Sequence, residues 1–291
     1  MGGQWVQFLA GGLTVGSIYA LVALGFSIIF NASRVINFAQ GEFVMIGGMS
    51  AVSLVAIGMP MAVAIVGAVV IAAIVGLSLE KFAIARAPRA NVVTLIIITI
   101  GASIFLRGIA QLVWDKGIHS LAPLSGERPI ALFGATILPQ SLWVLGVTVA
   151  IVAALSWFFG RTRLGKAMLA TSHNRLAAQL VGIDVATVLF ASFGLAAALG
   201  AIAGVLIAPI TFTSYDVGVM LGLKGFAAAI LGGLGSFPGA IAGGLVLGLV
   251  ESFGAGFVSS AYKDVIAFVI ILAVLFFRPD GLFGALRTER V

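Results

Sequence analysis

Along this chain, polar residues are confined to short breaks between long apolar blocks, and no stretch is polar enough to form a soluble domain. A helix that crosses a bilayer needs about 20 mostly apolar residues. On that template the sequence predicts spans at 8–30, 42–58, 60–80, 91–113, 141–159 and 185–208. The C-terminal third is less regular: 218–233 is short and broken by glycine, whereas 238–257 and 262–278 read as ordinary spans. The expected fold is an all-α integral membrane protein, a polytopic bundle of about eight or nine transmembrane segments with interrupted helices. The first block has no positive residues ahead of it and runs on to Phe30, too long for a signal peptide's apolar region, so it reads as a retained helix.

Composition sharpens this picture. Of 291 residues, 61% are hydrophobic and 9% charged, whereas soluble domains are roughly half apolar and about a quarter charged. Absence of cysteine removes disulfides, thiolate nucleophiles and cysteine metal sites. The net charge of +6 is informative only by position, and it does not point to nucleic acid. Basic residues cluster at Arg34, at Lys81, Arg86 and Arg89, at Arg161, Arg163, Lys166 and Arg175, and at Arg278, Arg287 and Arg290, which is eleven of the 16. The positive-inside rule puts these clusters in the cytoplasm and the N-terminus outside. Passing from a cytoplasmic loop at 160–184 to a cytoplasmic C-terminus then requires an even number of crossings, so 185–208 and the three later segments must all cross.

Glycines recur four residues apart at Gly12 and Gly16, Gly200 and Gly204, Gly239 and Gly243, and Gly244 and Gly248. Such small faces let helix backbones approach closely, and intramolecular packing is the favoured reading over a dimer face. The polar stretch Asn31 to Glu42 joins two spans and reads either as a broken helix lining a path or as a plain cytoplasmic loop. A second interruption, Gly232 to Gly239, contains Pro238, and breaks in both halves suggest an internal structural repeat. Lys224 and Glu251 are the ionisable residues deepest in predicted spans. They read as path-lining groups or, preferably, as a structural pair. Glu80 and Arg107 are expected at interfacial span ends.

Other chemistry is sparse. Gly160 to Ala167 comes within one residue of a phosphate-binding loop, but Ala167 replaces the hydroxyl that holds magnesium, and a membrane span precedes it in place of a strand. His119 and His173 are expected to be solvated loop residues, and no catalytic residue, metal site or cofactor is assigned. From Leu164 to Gly182 the residues Leu164, Met168, Leu176, Leu180 and Val181 repeat near helical spacing, which predicts one amphipathic helix stopped by Gly182. Such a helix suits a membrane surface, the protein's own bundle or a partner's groove, and in the last case Lys166, His173 and Arg175 would supply polar contacts.

Four segments together resemble the permease subunits of ABC importers for branched-chain amino acids and related small solutes. They are Asn37-Phe38-Ala39-Gln40-Gly41-Glu42, the inner loop from Gly165-Lys166-Ala167 through Asn174 to Leu180-Val181-Gly182-Ile183, Gly232 to Gly244, and Arg278-Pro279-Asp280-Gly281-Leu282-Phe283-Gly284. The resemblance implies a single transmembrane permease domain over 1–291 in a bacterial inner membrane, in contact with membrane lipid. It also implies a coupling helix within 160–184, with Gly165, Lys166, His173, Asn174, Arg175 and Gly182 as its expected contact residues. Leu169 and Leu176 depart from the family's usual charges. The implied partners are a second homologous permease, two cytoplasmic ABC ATPase subunits and an extracytoplasmic solute-binding protein, with ATP hydrolysed by the partners. Asn37, Gln40, Glu42, Lys224 and Glu251 are the candidate path residues. The rival reading is a secondary transporter or channel working without an ATPase, and an ABC permease for amides, urea or aromatic acids is a further alternative.

Overall fold

The computed structural model describes residues 2–87, 91–126, 128–132 and 134–283; Arg89, Gly284, Arg287 and Arg290 lie outside them. The chain forms α1 (Gly2–Ser33), α2 (Gln40–Ala56), α3 (Met61–Leu79) and α4 (Val92–Trp114), with a π turn at Glu80–Ile84 extending α3. A small antiparallel hairpin follows, β1 (Ile130–Leu132) and β2 (Ala135–Ile137), in which Ala131 faces Thr136. Then come α5 (Pro139–Arg161), α6 (Arg163–His173), α7 (Arg175–Leu180), α8 (Val185–Thr211), α9 (Val217–Gly232), α10 (Phe237–Phe257) and α11 (Lys263–Phe277). Seven of the described helices, counting the turns that extend α3 and α11, are long and apolar enough to cross a membrane, and α2 and α9 are shorter apolar helices. Each predicted span therefore corresponds to a helix.

Helix ends follow local chemistry. The Asn91 side chain accepts from the Thr94 amide at 2.8 Å, and Ser236 accepts from Gly239 at 3.1 Å, satisfying otherwise orphaned N–H groups. Proline occupies the first turn of α5 and of α10, where no N–H is needed. Arg34, Asp115 and Phe212 turn the chain out of α1, α4 and α8 with φ near +60°, a conformation non-glycine residues rarely adopt.

Contacts between loops sort the helix ends into two sets. At one end Asn31 donates to the Gly235 carbonyl (2.7 Å), and Arg34 donates to that of Ser172. At the other, His119 and Thr213 form a backbone bridge, and Gln7 bonds the Thr136 backbone in both directions. The α9 segment connects the second end to the first. His119 is thus half-buried in a strap, its ring nitrogen 3.1 Å from the Trp114 carbonyl, and not the solvated residue the sequence suggested.

Helices α1 and α8 form the buried centre. The small-residue faces pack within the chain: a Cβ on Gly16 would stand 2.9 Å from the Gly244 carbonyl oxygen and from Leu245 Cα, and one on Gly12 2.9 Å from Leu249 Cα. Gly200 approaches Phe43 of α2, and Gly243 approaches Gly232 of α9. Close backbone approach of this kind supplies the van der Waals contact that holds helices together in lipid, where burial of apolar surface does not. Apolar residues such as Phe105, Leu112, Val149 and Phe276 instead face outward.

The inner loop differs from expectation in being two helices, not one. Asn174 adopts φ −153° and ψ 105°, ending α6, and its side chain caps α7 by accepting from the Ala177 amide at 3.0 Å. A side chain that bonds the backbone this way competes with helix continuation. Gly182, at φ +85°, stops α7 as predicted.

Candidate functional site

The polar segment after α1 is not a solvated loop. The Asn37 side chain accepts from the Ala39 amide (3.1 Å), the Phe38 amide donates to Thr99 Oγ1 (3.2 Å), and Gln40 Nε2 donates to the Ala196 carbonyl (2.9 Å). Ala196 lies eleven residues, or roughly 16 Å, into α8, so α2 begins deep inside the bundle. Asn37, Gln40 and Glu42 are all buried.

Glu42, 1% exposed in the first turn of α2, accepts from Ser103 Oγ at 2.7 Å through Oε1, and Arg107 Nε lies 3.7 Å from that same oxygen. Glu42 Oε2 and Arg107 Nε have no hydrogen-bond partner among the described residues. Beside them is a cavity of about 230 Å³ between α2, α4 and α9, walled by Phe26, Phe38, Ile104, Leu223 and Phe226. The first turn of α9, at Gly218 and Val219, also borders it. Arg107 is therefore a mid-helix group, not the interfacial residue expected from sequence. It is the one charge in α4, and a lone charge inside an apolar span is the signal that could have found it. Ser103 carries no such signal.

Lys224 and Glu251 do pair, at 2.8 Å, but on a different side of α9. Lys224 also meets Asp264 at 2.6 Å, Lys263 lies 3.6 Å from Glu251, and Tyr19 donates to Glu251 Oε2 at 2.7 Å. Two cations and two anions thus balance in a clasp joining α1, α9, α10 and α11. Neither Lys224 nor Glu251 lines the Glu42 cavity, and Tyr19 and Asp264 were not singled out from sequence.

At the end bearing the basic clusters, α6 packs on the bundle through Leu164, Met168 and Leu169. Gly165 is buried, where a Cβ would meet Phe159 Cα at 2.7 Å. Lys166, His173, Asn174, Arg175 and Gly182 are exposed. So are three apolar side chains of the α7 end, Leu176 (68%), Leu180 (80%) and Val181 (77%). Between α7 and the π turn runs a groove of about 770 Å³ that Arg175 and Glu80 both border. Glu80 is 5% exposed and is a buried groove residue, not an interfacial one as expected.

Residues 8–275 match the family model described as "Branched-chain amino acid transport system / permease component". The chain belongs to that family. It is 35% identical over 304 residues to the high-affinity branched-chain amino acid transport system permease protein BraD of Pseudomonas aeruginosa, covering 99% of this chain and 98% of that protein. The corresponding permease protein LivH of Escherichia coli K12 is 35% identical over 302 residues, again at 99% and 98% coverage. Among solved structures, PsaBC from Streptococcus pneumoniae in complex with Fab aligns with a TM-score of 0.53 at 16% identity, covering 94% of this chain and 92% of that one, which shows a shared fold. This permease component is accordingly a multi-pass membrane transport protein and not an enzyme.

Proposed function

We propose that the chain is a permease subunit of an ATP-driven ABC importer that moves branched-chain or related small amino acids across the inner membrane by alternating access. The observation that carries this reading is the near full-length relation to BraD and LivH. All 291 residues act as one transmembrane unit, with the N-terminus outside and the basic clusters, α6, α7 and the C-terminus in the cytoplasm, as the positive-inside rule favours. A soluble binding protein delivers cargo from outside, and two cytoplasmic ATPases supply the energy. A second, similar permease completes the pair.

The exposed end of α7 serves as the coupling surface. Leu176, Leu180 and Val181 offer the apolar contact, while Lys166, His173 and Arg175 offer the polar ones, and α6 transmits their movement to α1, α5 and α8. Gly165 and Asn174 keep the two helices in place, and Gly182 sets the exit angle. The cavity at Glu42 and Arg107 lies on the cargo's path, whereas the Lys224–Glu251 clasp holds the helices behind it. Gly182→Pro combined with Arg175→Glu is expected to abolish ATP-driven leucine uptake in proteoliposomes holding the assembled complex while the protein still inserts. Unchanged uptake refutes the coupling assignment, and leucine uptake by the chain alone under an ion gradient favours a secondary transporter.

A further inference from the structure

We infer that the cavity between α2, α4 and α9 is a transient binding site for the cargo itself, built to read an amino acid's two charged groups and its apolar side chain together. The inference rests on the permease reading above and adds the chemistry of recognition.

Three observations converge on it. First, the cavity holds one carboxylate and one guanidinium, so its formal charge is zero, which suits a zwitterion better than a cation, an anion or an uncharged sugar. Second, the Glu42–Arg107 contact leaves capacity unused. Oε1 is engaged by Ser103, whereas Oε2, fully buried and 3.1 Å from where a Cβ on Gly218 would stand, has no donor among the described residues. A buried carboxylate oxygen without a donor is costly, and a cargo ammonium that reaches it once the Gly218 backbone draws away supplies the missing hydrogen bond. Third, the walls are the rings of Phe26, Phe38 and Phe226, with the exposed Ile104 and Leu223 at the open mouth, an apolar lining for a branched aliphatic side chain.

Placement of the carboxylate follows. The Arg107 guanidinium borders the cavity, and the first turns of α2 and α9, with their positive dipole ends, border it too. An ammonium on Glu42 Oε2 and a carboxylate on Arg107 thus leave the side chain among the phenylalanines. Such a site discriminates against amines and acids lacking one of the two charges, because each leaves a buried partner unmet.

The test uses the complete complex in proteoliposomes with the diazirine analogue of leucine as probe. Illumination during ATP-driven uptake should attach the probe to peptides covering 100–107 or 218–226, in competition with unlabelled leucine. Glu42→Gln, which keeps the shape, should lower that labelling about tenfold, the scale of one hydrogen bond to a charged group. The same diazirine on a chain lacking the amino group should not label there. Arg107→Lys, on the more open side, should raise the concentration needed for half-maximal labelling. Leucine uptake without label in those peptides, or equal labelling of Glu42→Gln, overturns the inference alone. No ATP-dependent leucine uptake by the unaltered complex overturns the permease reading, and the inference with it.

Discussion

Replacing Lys224 by methionine removes the centre of the clasp while keeping an unbranched apolar stem of nearly the same length. Lys224 Nζ stands 2.8 Å from Glu251 Oε1 and 2.6 Å from Asp264 Oδ1, so its loss turns a neutral group of four charges into one of net −1. Glu251 would retain Tyr19 at 2.7 Å and Lys263 at 3.6 Å, but Asp264 would retain no salt bridge among the described residues. Removing one member of a buried ion pair typically costs about 3–5 kcal/mol, mostly because the abandoned charge stays desolvated. Because the abandoned Asp264 side chain is 37% exposed and Glu251 keeps Lys263, the expected loss for Lys224→Met lies at or below the low end of that range, measured as the shift in unfolding free energy when the purified protein is titrated with sodium dodecyl sulfate in mixed micelles. The double variant Lys224→Met with Glu251→Gln returns the group to neutrality and should recover most of the loss, since a well-packed neutral replacement of a buried pair is often no less stable. If the double variant is as unstable as the sum of the two single ones, the four groups do not act as an electrostatic unit and the clasp is a packing feature only.

Other outcomes follow from the same structure. Gly16→Leu should weaken the α1–α10 seam by about 1–3 kcal/mol in the same titration, because its Cβ alone would lie 2.9 Å from the Gly244 carbonyl oxygen; an unchanged midpoint would show that the helices separate at no cost. The chain has no cysteine, so single replacements report sidedness directly. Ser125→Cys should react with an impermeant maleimide added outside intact cells and Ser172→Cys should not, and the reverse pattern would invert the orientation. Leu180→Glu puts a charge in the exposed apolar end of α7 and should reduce co-purification of the ATPase by about tenfold, as burial of an unpaired charge at an interface demands, without altering membrane levels; full recovery of the ATPase would remove α7 from the docking surface.

The helices were legible because a bilayer imposes its thickness on sequence, and a run of about 20 apolar residues has few other uses. Lys224 and Glu251 were legible for a related reason: two opposite charges deep in spans need a partner, and each was the other's nearest option. Sequence did not reveal the pairing of Glu42 with Arg107, because the 64 residues between them hold no pattern that brings α2 beside α4. The depth at which α2 begins was hidden too. It depends on Gln40 finding the carbonyl of Ala196 across the bundle, a tertiary contact with no local signature. In the inner loop, apolar spacing suggested one continuous helix, but a single asparagine able to bond its own backbone divided it, so periodicity yielded to a local cap. The short helices α2 and α9, about 25 Å and 24 Å long, were visible as the spans at 42–58 and 218–233, though not as helices whose first turns meet.

That meeting place has a mechanical consequence. Gly41 touches Gly218 and Gly222 backbone to backbone, and a Cβ on Gly41 would come within 2.9 Å of Gly222 Cα. There is no side chain at this seam to swing aside on the picosecond-to-nanosecond scale of rotamer flips. Widening it requires whole helices to shift, a collective motion of microseconds to milliseconds that strains every contact along α2 and α9 at once. The seam therefore stays shut against thermal fluctuation of single residues and yields only to a force applied along the length of the helices.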